Sequence, residues 1–305
     1  MKCPVCNCNK FEKVGYPSSL DLWRCCSCTL LLLKVENDSL FSEVEENYFG
    51  EGYLRRQGPF AERILHHKAK LRIRDIYQIQ PTGKFLDLGC GTGELIGAAK
   101  EAGYDVEGLD YSESLARYVS KKYGVTVHQG ESSQVELTER YDVIAMSHVI
   151  EHVPNPQATI HSIISMLKPG GLLYLATPNI DCWEAKYSGW GSYEPYHLMY
   201  FNPHTIKLLL EQAEFQILSI RTGEPYSAWL NTVMRSALPG QHATARQSVH
   251  NDVEGKLKLP FVLGMTALNL TRLTSGFLLT PLRKYQEHNL VGEELIVMAR
   301  RNGAR

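Results

Sequence analysis

The chain has 305 residues, 44% of them hydrophobic, with a formal net charge of -1 and an isoelectric point near 6.8. That length allows one large domain or a domain with a small companion, and the composition supports a sizeable core. The near-neutral charge argues against a general nucleic-acid binder, which is usually more basic.

The N-terminus reads MKCPVCNCNK. It has no apolar h-region, so no signal peptide is expected and a reducing, cytoplasmic location is the natural setting. There cysteines more often bind metal or react than form disulfides. Six of the eight cysteines lie in the first 28 residues, which separates a small N-terminal module from the rest. Cys3 and Cys6, then Cys25 and Cys28, form C-x2-C-x18-C-x2-C, a zinc-ribbon spacing. Each pair makes a tight turn that aims two thiolates at one ion, and two turns complete a closed tetrahedral Zn2+ site of structural type. Asn7 follows the first pair and tolerates a left-handed turn; Thr29 follows the second, where glycine would be easier. Cys8 and Cys26 are surplus, so the choice of four ligands stays open. Residues 1–45 carry five Lys/Arg against six Asp/Glu, a balance that gives the ribbon no basic surface for nucleic acid.

Residues 46–80 form a connector and a helix-like run, with seven Lys/Arg and one Glu between positions 55 and 74. This is a solvated helix face or a patch for an anionic acceptor. From residue 81 strands and helices alternate. KFLDLG, DVEGLD, VTVHQG, YDVIAMS and GLLYLATPN read as strands, with helices ELIGAAKEAG and SESLARYVSKKYG between the first three. HTIKLLLEQAEF adds a helix, then FQILSIRTG and EELIVMAR add two strands. Apolar strands alternating with helices predict a parallel α/β sheet covered on both faces.

The sharpest motif is Asp87-Leu-Gly89-Cys-Gly91-Thr-Gly93, ending one strand and opening one helix. Ligands sit at such strand ends, and glycines admit a close backbone approach. The dinucleotide fingerprint G-x-G-x-x-G fails, because Glu94 and Ile96 stand where its last glycine would fall. Asp110 ends the second strand, where a carboxylate accepts hydrogen bonds from both hydroxyls of a ribose. Gly130 and Glu131 end the third, beside an adenine edge.

The run from Phe85 to Asn179 resembles class I S-adenosylmethionine-dependent methyltransferases, through FLDLGCGTG, GLD at 108–110, YDVIAMSHVIEHV, LKPGG and LATPN. The resemblance implies a Rossmann-like sheet of seven strands with the last antiparallel. It implies that Asp87, Gly89, Gly91 and Gly93 hold the methionine part of S-adenosyl-L-methionine. Asp110 would hold the ribose, Glu131 with Ser132 would flank the adenine, and Ser147 would lie near the amino-acid end or the methyl. With the ribbon and the later His197-Leu-Met-Tyr-Phe201, the chain is also similar to bacterial methyltransferases of sugar and surface-glycan pathways, sugar C-methyltransferases included. In that group an acidic residue often precedes the histidine; here it is Tyr196, with Glu194 two positions further back.

Methyl transfer to a hydroxyl or an acidic carbon needs a base, and a histidine suits that work. His197, after the fifth strand, is the first candidate and His148, after the fourth, the second. Trp183, Trp190, Tyr193 and Tyr196 form either an aromatic wall for a sugar or the packing of a lid. Residues 225–290 are a long insertion before the last strand. Its segment 260–282 is apolar but interrupted by Asn269 and Arg272, which suits a helical cap, a dimer contact or peripheral membrane contact better than a span. The organisation expected is a ribbon (1–45), connector and helix (46–80), cofactor-binding core (81–224), helical cap (225–290), and last strand with tail (291–305). The expected acceptor is a small molecule or glycan, methylated on oxygen, nitrogen or carbon. A ribosomal-RNA methyltransferase and a non-catalytic scaffold of the same fold are the alternatives.

The stretch HVIEH (148–152) spells H-x-x-E-H, the motif of inverted zinc peptidases. Such a site needs a sustained helix to keep both histidines on one face. Pro154 and Pro156 follow almost at once and forbid it. The stretch is therefore expected to be the loop after the fourth strand, with Glu151 and His152 fixing it by hydrogen bonds and His148 facing the methyl.

Overall fold

The structure is a computed structural model and describes residues 1–34, 59–132, 134–135, 137–223, 229–237 and 279–303. The early connector and most of the expected cap, including residues 260–278, lie outside the described residues. Among the described residues no helix is long and apolar enough to cross a membrane.

Eleven strands are described, in two sheets. The large sheet has seven strands in the order β10-β11-β8-β7-β4-β5-β6. They are β4 (Lys84–Leu88), β5 (Asp105–Asp110), β6 (Thr126–Gln129), β7 (Tyr141–Ser147), β8 (Leu167–Pro178), β10 (Phe215–Thr222) and β11 (Glu294–Arg301). β4 to β8 pair in parallel. β11 runs antiparallel to both β8 and β10. The seven-stranded sheet with an antiparallel last strand is therefore as expected.

Alternation along the strands divides the core. Leu86, Leu88, Ile144, Met146, Leu173, Leu175 and Val297 face one side, against Ile160 and Ile163 of α4 (Pro156–Met166) and Leu209 of α5 (Pro203–Gln212). Phe85, Val143, Ala145, Tyr174 and Ala176 face the other. There they meet Ala69, Ile73 and Ile76 of α1 (Pro59–Tyr77), Ile96 and Ala99 of α2 (Glu94–Glu101), and Val119 of α3 (Glu113–Tyr123). Both faces are dry, which is why these strands read as continuous apolar runs. Local signals punctuate the helices. Ser112 caps α3, accepting from the Leu115 amide, and Gly124 closes it in the left-handed conformation. Asn202 and Thr205 form a reciprocal capping box at the start of α5.

The second sheet has the order β1-β2-β3-β9, from β1 (Phe11–Lys13), β2 (Leu22–Cys25), β3 (Leu31–Leu33) and β9 (Met199–Tyr200). The ribbon is thus not a detached module. Leu31 and Leu32 pair with Tyr200 and Met199 of the H-x-x-Y-F stretch. Cys3, Val5, Cys25, Cys28 and Leu30 are buried in the same cluster as Met199 and Phe201.

Candidate functional site

The loop after β4 needs its glycines. Gly89, Gly91 and Gly93 all have positive φ, a region costly for other residues. A Cβ on Gly89 would lie 2.3 Å from Val149 Cγ2, so this loop sits directly against HVIEH. Beside Gly91 there is open space. Asp110 is buried. Its Oδ2 accepts from the Gly91 amide at 2.8 Å and its Oδ1 from the Ser112 amide at 2.9 Å. Each oxygen keeps a second lone pair for a ligand hydroxyl. Burial pushes its carboxyl up.

Asp87 is also buried. Burial, then the neighbouring Asp110 and Glu94 carboxylates, push its carboxyl up to about 8. A buried acid among acids is a site for a cation, such as the ammonium of an amino-acid ligand. Open space at Gly91, a buried carboxyl at Asp87 and a pre-oriented Asp110 would suit S-adenosylmethionine. Glu131, half-buried, accepts from Gln134 Nε2 at 2.7 Å, and Ser132 is buried with its carbonyl accepting from the Ser162 hydroxyl. Both follow β6. Ser147 closes β7, paired with Ala176 of β8.

HVIEH is a turn, as expected, closed by the His152 amide on the Val149 carbonyl at 2.9 Å. His148 is in the left-handed region at φ 56, a strained setting for a non-glycine residue. Its Nε2 lies 2.8 Å from Glu294 Oε1 and its Nδ1 3.3 Å from Glu151 Oε1. Burial pulls its basicity down, but the two carboxylates outweigh that and raise it to about 10. Its side chain is 41% exposed, so solvent damps the pairing. The direction stands on two ionic contacts, which favour the protonated form of His148, and that form holds no lone pair to act as a base. Arg72 of α1 also pairs with Glu294. The basic run of the sequence therefore supplies a structural anchor at this position.

Glu151 is 1% exposed. Its Oε2 accepts from Thr177 Oγ1 at 3.0 Å, while its Oε1 makes no hydrogen bond. Burial pushes its carboxyl up, yet the surrounding histidines hold it down to about 2. His152 Nδ1 lies 3.1 Å from the Tyr196 carbonyl, so Glu151 and His152 do fix the loop as expected. His197 is buried, with Nδ1 2.8 Å from the Ser192 carbonyl. Burial lowers its basicity to about 3, so it is neutral. The structure thus brings His148, Glu151, His152, His197 and Glu294 together. Glu294 escaped the sequence reading because no local pattern links a strand-opening acid to a histidine 146 positions earlier.

The segment 183–196 touches this group at Ser192 and Tyr196. Trp190, 3% exposed, packs edge-on to Tyr193 and donates from Nε1 to Glu293 at 3.2 Å. Tyr196 is buried and stacked on His152. Packing of the lid, rather than an open aromatic wall, is what these two side chains do. The described ends of the insertion, α6 (Trp229–Ala237) and α7 (Thr280–His288), tie into the same segment. The Gly189 amide donates to Ser236 Oγ at 2.9 Å, and Gln286 Nε2 donates to the Glu184 carboxylate at 3.2 Å.

At the other end, Cys3, Cys6, Cys25 and Cys28 converge, with all four sulfurs within 4.8 Å of one another. Asn7 and Thr29 have φ 62 and 66. Their amides close the two turns on the Cys3 and Cys25 carbonyls, each at 3.0 Å. Cys8 instead accepts from the Lys10 amide and Cys26 is exposed. The geometry therefore separates the four candidate ligands from the two surplus thiols. A soft, closed S4 set suits Zn2+.

A family model described as "Methyltransferase domain" matches residues 60–220. The chain is similar to "Ubiquinone biosynthesis O-methyltransferase" of Shewanella sp. (strain ANA-3), 37% identical over 103 residues, covering 32% of this chain and 44% of that one. It is similar to the protein of the same name from Photorhabdus laumondii subsp. laumondii, 33% identical over 127 residues, covering 38% and 52%. The chain spans about half the length of the curated relatives it matches. Among solved structures, a SAM dependent methyltransferase from Archaeoglobus fulgidus matches with TM-score 0.49 and 18% identity, covering 85% of this chain and 99% of that one.

Proposed function

The chain belongs to the methyltransferase-domain family, and on that premise we propose that it transfers a methyl group from S-adenosylmethionine to a hydroxyl of a small-molecule acceptor. The observation that carries this reading is Asp110, fixed by the Gly91 and Ser112 amides at the end of β5 beside the glycine loop. The oxygen acceptor is supported by the O-methyltransferase activity for which the curated relatives are named. A sugar or glycan intermediate is the first acceptor class to test, on the resemblance carried by the ribbon and the H-x-x-Y-F stretch. His197 is the residue of that stretch that lies beside Glu151 and His152. The ribbon thiolates Cys3, Cys6, Cys25 and Cys28 would hold a structural Zn2+. A cytoplasmic setting accords with these reduced thiols.

When bound, S-adenosylmethionine supplies a methyl group already activated on a sulfonium. The acceptor oxygen forms the new bond to carbon, the carbon–sulfur bond breaks, and its electron pair stays on sulfur. Asp87 and Asp110 position the donor, and the lid of residues 183–196 keeps water from the line of attack. His148 is held as a cation, so the acceptor proton is lost on the side of Glu151, His152 and His197. Calorimetric titration with S-adenosylmethionine, then a panel of hydroxylated acceptors read by a mass gain of one methyl, tests the reading. No binding to correctly folded protein would sink it. His197→Ala should keep cofactor affinity and lose turnover; unchanged turnover would remove His197 from the reaction.

A further inference from the structure

Glu151, His152 and His197 each offer one ligand atom, and the three lie within 4.8 Å of one another. We propose that these three residues form a second metal centre, a site for a divalent transition-metal ion on the acceptor side of the cleft. It is distinct from the cysteine ribbon.

The hydrogen bonds set the ligands. A carbonyl only accepts, so Nδ1 of His197 carries its proton toward Ser192, 2.8 Å away. Nδ1 of His152 does the same toward Tyr196, at 3.1 Å. That leaves Nε2 as the ligand atom each ring would offer a metal. A metal-ligating histidine usually donates its other ring nitrogen to a backbone carbonyl, a carboxylate or water. On Glu151, Oε2 is occupied by Thr177, while Oε1 makes no hydrogen bond although the side chain is 1% exposed. A buried carboxylate oxygen without a hydrogen bond is costly unless something else meets it. His148 Nδ1 forms an ion pair with Oε1 at 3.3 Å, without completing a hydrogen bond.

A tetrahedral ion with bonds of about 2.0–2.2 Å holds its ligand atoms roughly 3.4 Å apart. Closing this group onto an ion requires movements of about an ångström. Two imidazoles and one carboxylate leave open coordination positions, the composition of catalytic rather than structural sites. Such an ion would draw an acceptor hydroxyl toward the oxyanion form, and its place fits: HVIEH packs against Gly89 of the cofactor loop. That role rests on the methyl-transfer reading; the site itself does not. The letters H-x-x-E-H thus carry metal chemistry by a route other than a helix. Their first histidine is not a ligand, since its Nε2 is 2.8 Å from Glu294, and the third ligand comes from His197.

The test is metal stoichiometry on the full chain. Protein stripped with a chelator is titrated with Co2+ under reducing conditions and followed by absorption, with bound metal measured independently. Wild type should take two equivalents. One gives thiolate-to-cobalt charge transfer from the ribbon, and the other gives d–d bands without it. Glu151→Gln and His197→Gln should each lose the second equivalent and keep the first. Folding of each variant is checked by thermal melting. One equivalent in wild type, or two in both folded variants, overturns the proposal. If neither variant folds, the wild-type stoichiometry and spectrum decide. Two equivalents without S-adenosylmethionine binding would sink the transfer reading and leave the centre; binding with one equivalent would do the reverse.

Discussion

Asp87 is legible in the sequence as the acid of the glycine motif, but its titration is a property of the fold. Its carboxyl is pushed up to about 8 by burial and by the Asp110 and Glu94 carboxylates. The folded protein without ligand keeps a proton there that the unfolded chain loses near its ordinary value. Stability without cofactor therefore falls as pH rises from about 4 to about 8. A cationic ligand prefers the ionised carboxylate, so affinity for S-adenosylmethionine should rise over the same upper range. We expect up to about tenfold per pH unit between about pH 6 and pH 8, and a flat, weaker profile in Asp87→Asn. Calorimetry across that range checks both. A flat wild-type profile would remove Asp87 as the partner of the ammonium. His148 was legible only as a residue after a strand. Its partner Glu294 comes from the far end of the chain, and that contact turns a candidate base into a cation.

The element that aligns the site is the strand end with its loop. Gly89→Ala would place a Cβ against Val149 in a left-handed conformation. A loss on the order of 1–3 kcal/mol in stability is expected, together with weakened cofactor binding, because the β4 and β7 loops are pushed apart. Chemical denaturation and calorimetry would show it; an unstrained variant of full affinity would contradict the packing. The ribbon is coupled to the core through the β3–β9 pairing and the shared cluster of Leu30, Met199 and Phe201. Cys6→Ser should therefore lower the melting temperature of the whole protein in one transition. Two independent transitions in calorimetry would show the ribbon to be a detachable module. The strands and helices were readable because their signals are local: caps, glycine turns and two-residue alternation. The joining of β3 to β9 was not, since β9 spans only Met199–Tyr200 and has no pattern of its own.

At the scale of the whole molecule, a net charge of -1 and a ribbon without a basic excess leave little electrostatic affinity for a polyanion. The purified protein should bind ribosomal RNA weakly and with a shallow salt dependence. Tight binding with a steep salt slope would favour the RNA reading over a small-molecule acceptor. By itself the sequence determined the doubly covered α/β sheet, the glycine loop with Asp87 and Asp110, and the four cysteines at ribbon spacing. Each of these is written in neighbouring residues, whose period and turn chemistry act over a few bonds. Only the tertiary structure decided the rest: that the ribbon's sheet ends in a strand of the core, that Glu294 and Arg72 meet His148, and that Glu151, His152 and His197 face one another. The reason is physical. Burial and electrostatic pairing between residues far apart in the chain depend on which surfaces the fold brings within a few ångströms, and no short stretch such as HVIEH contains that information.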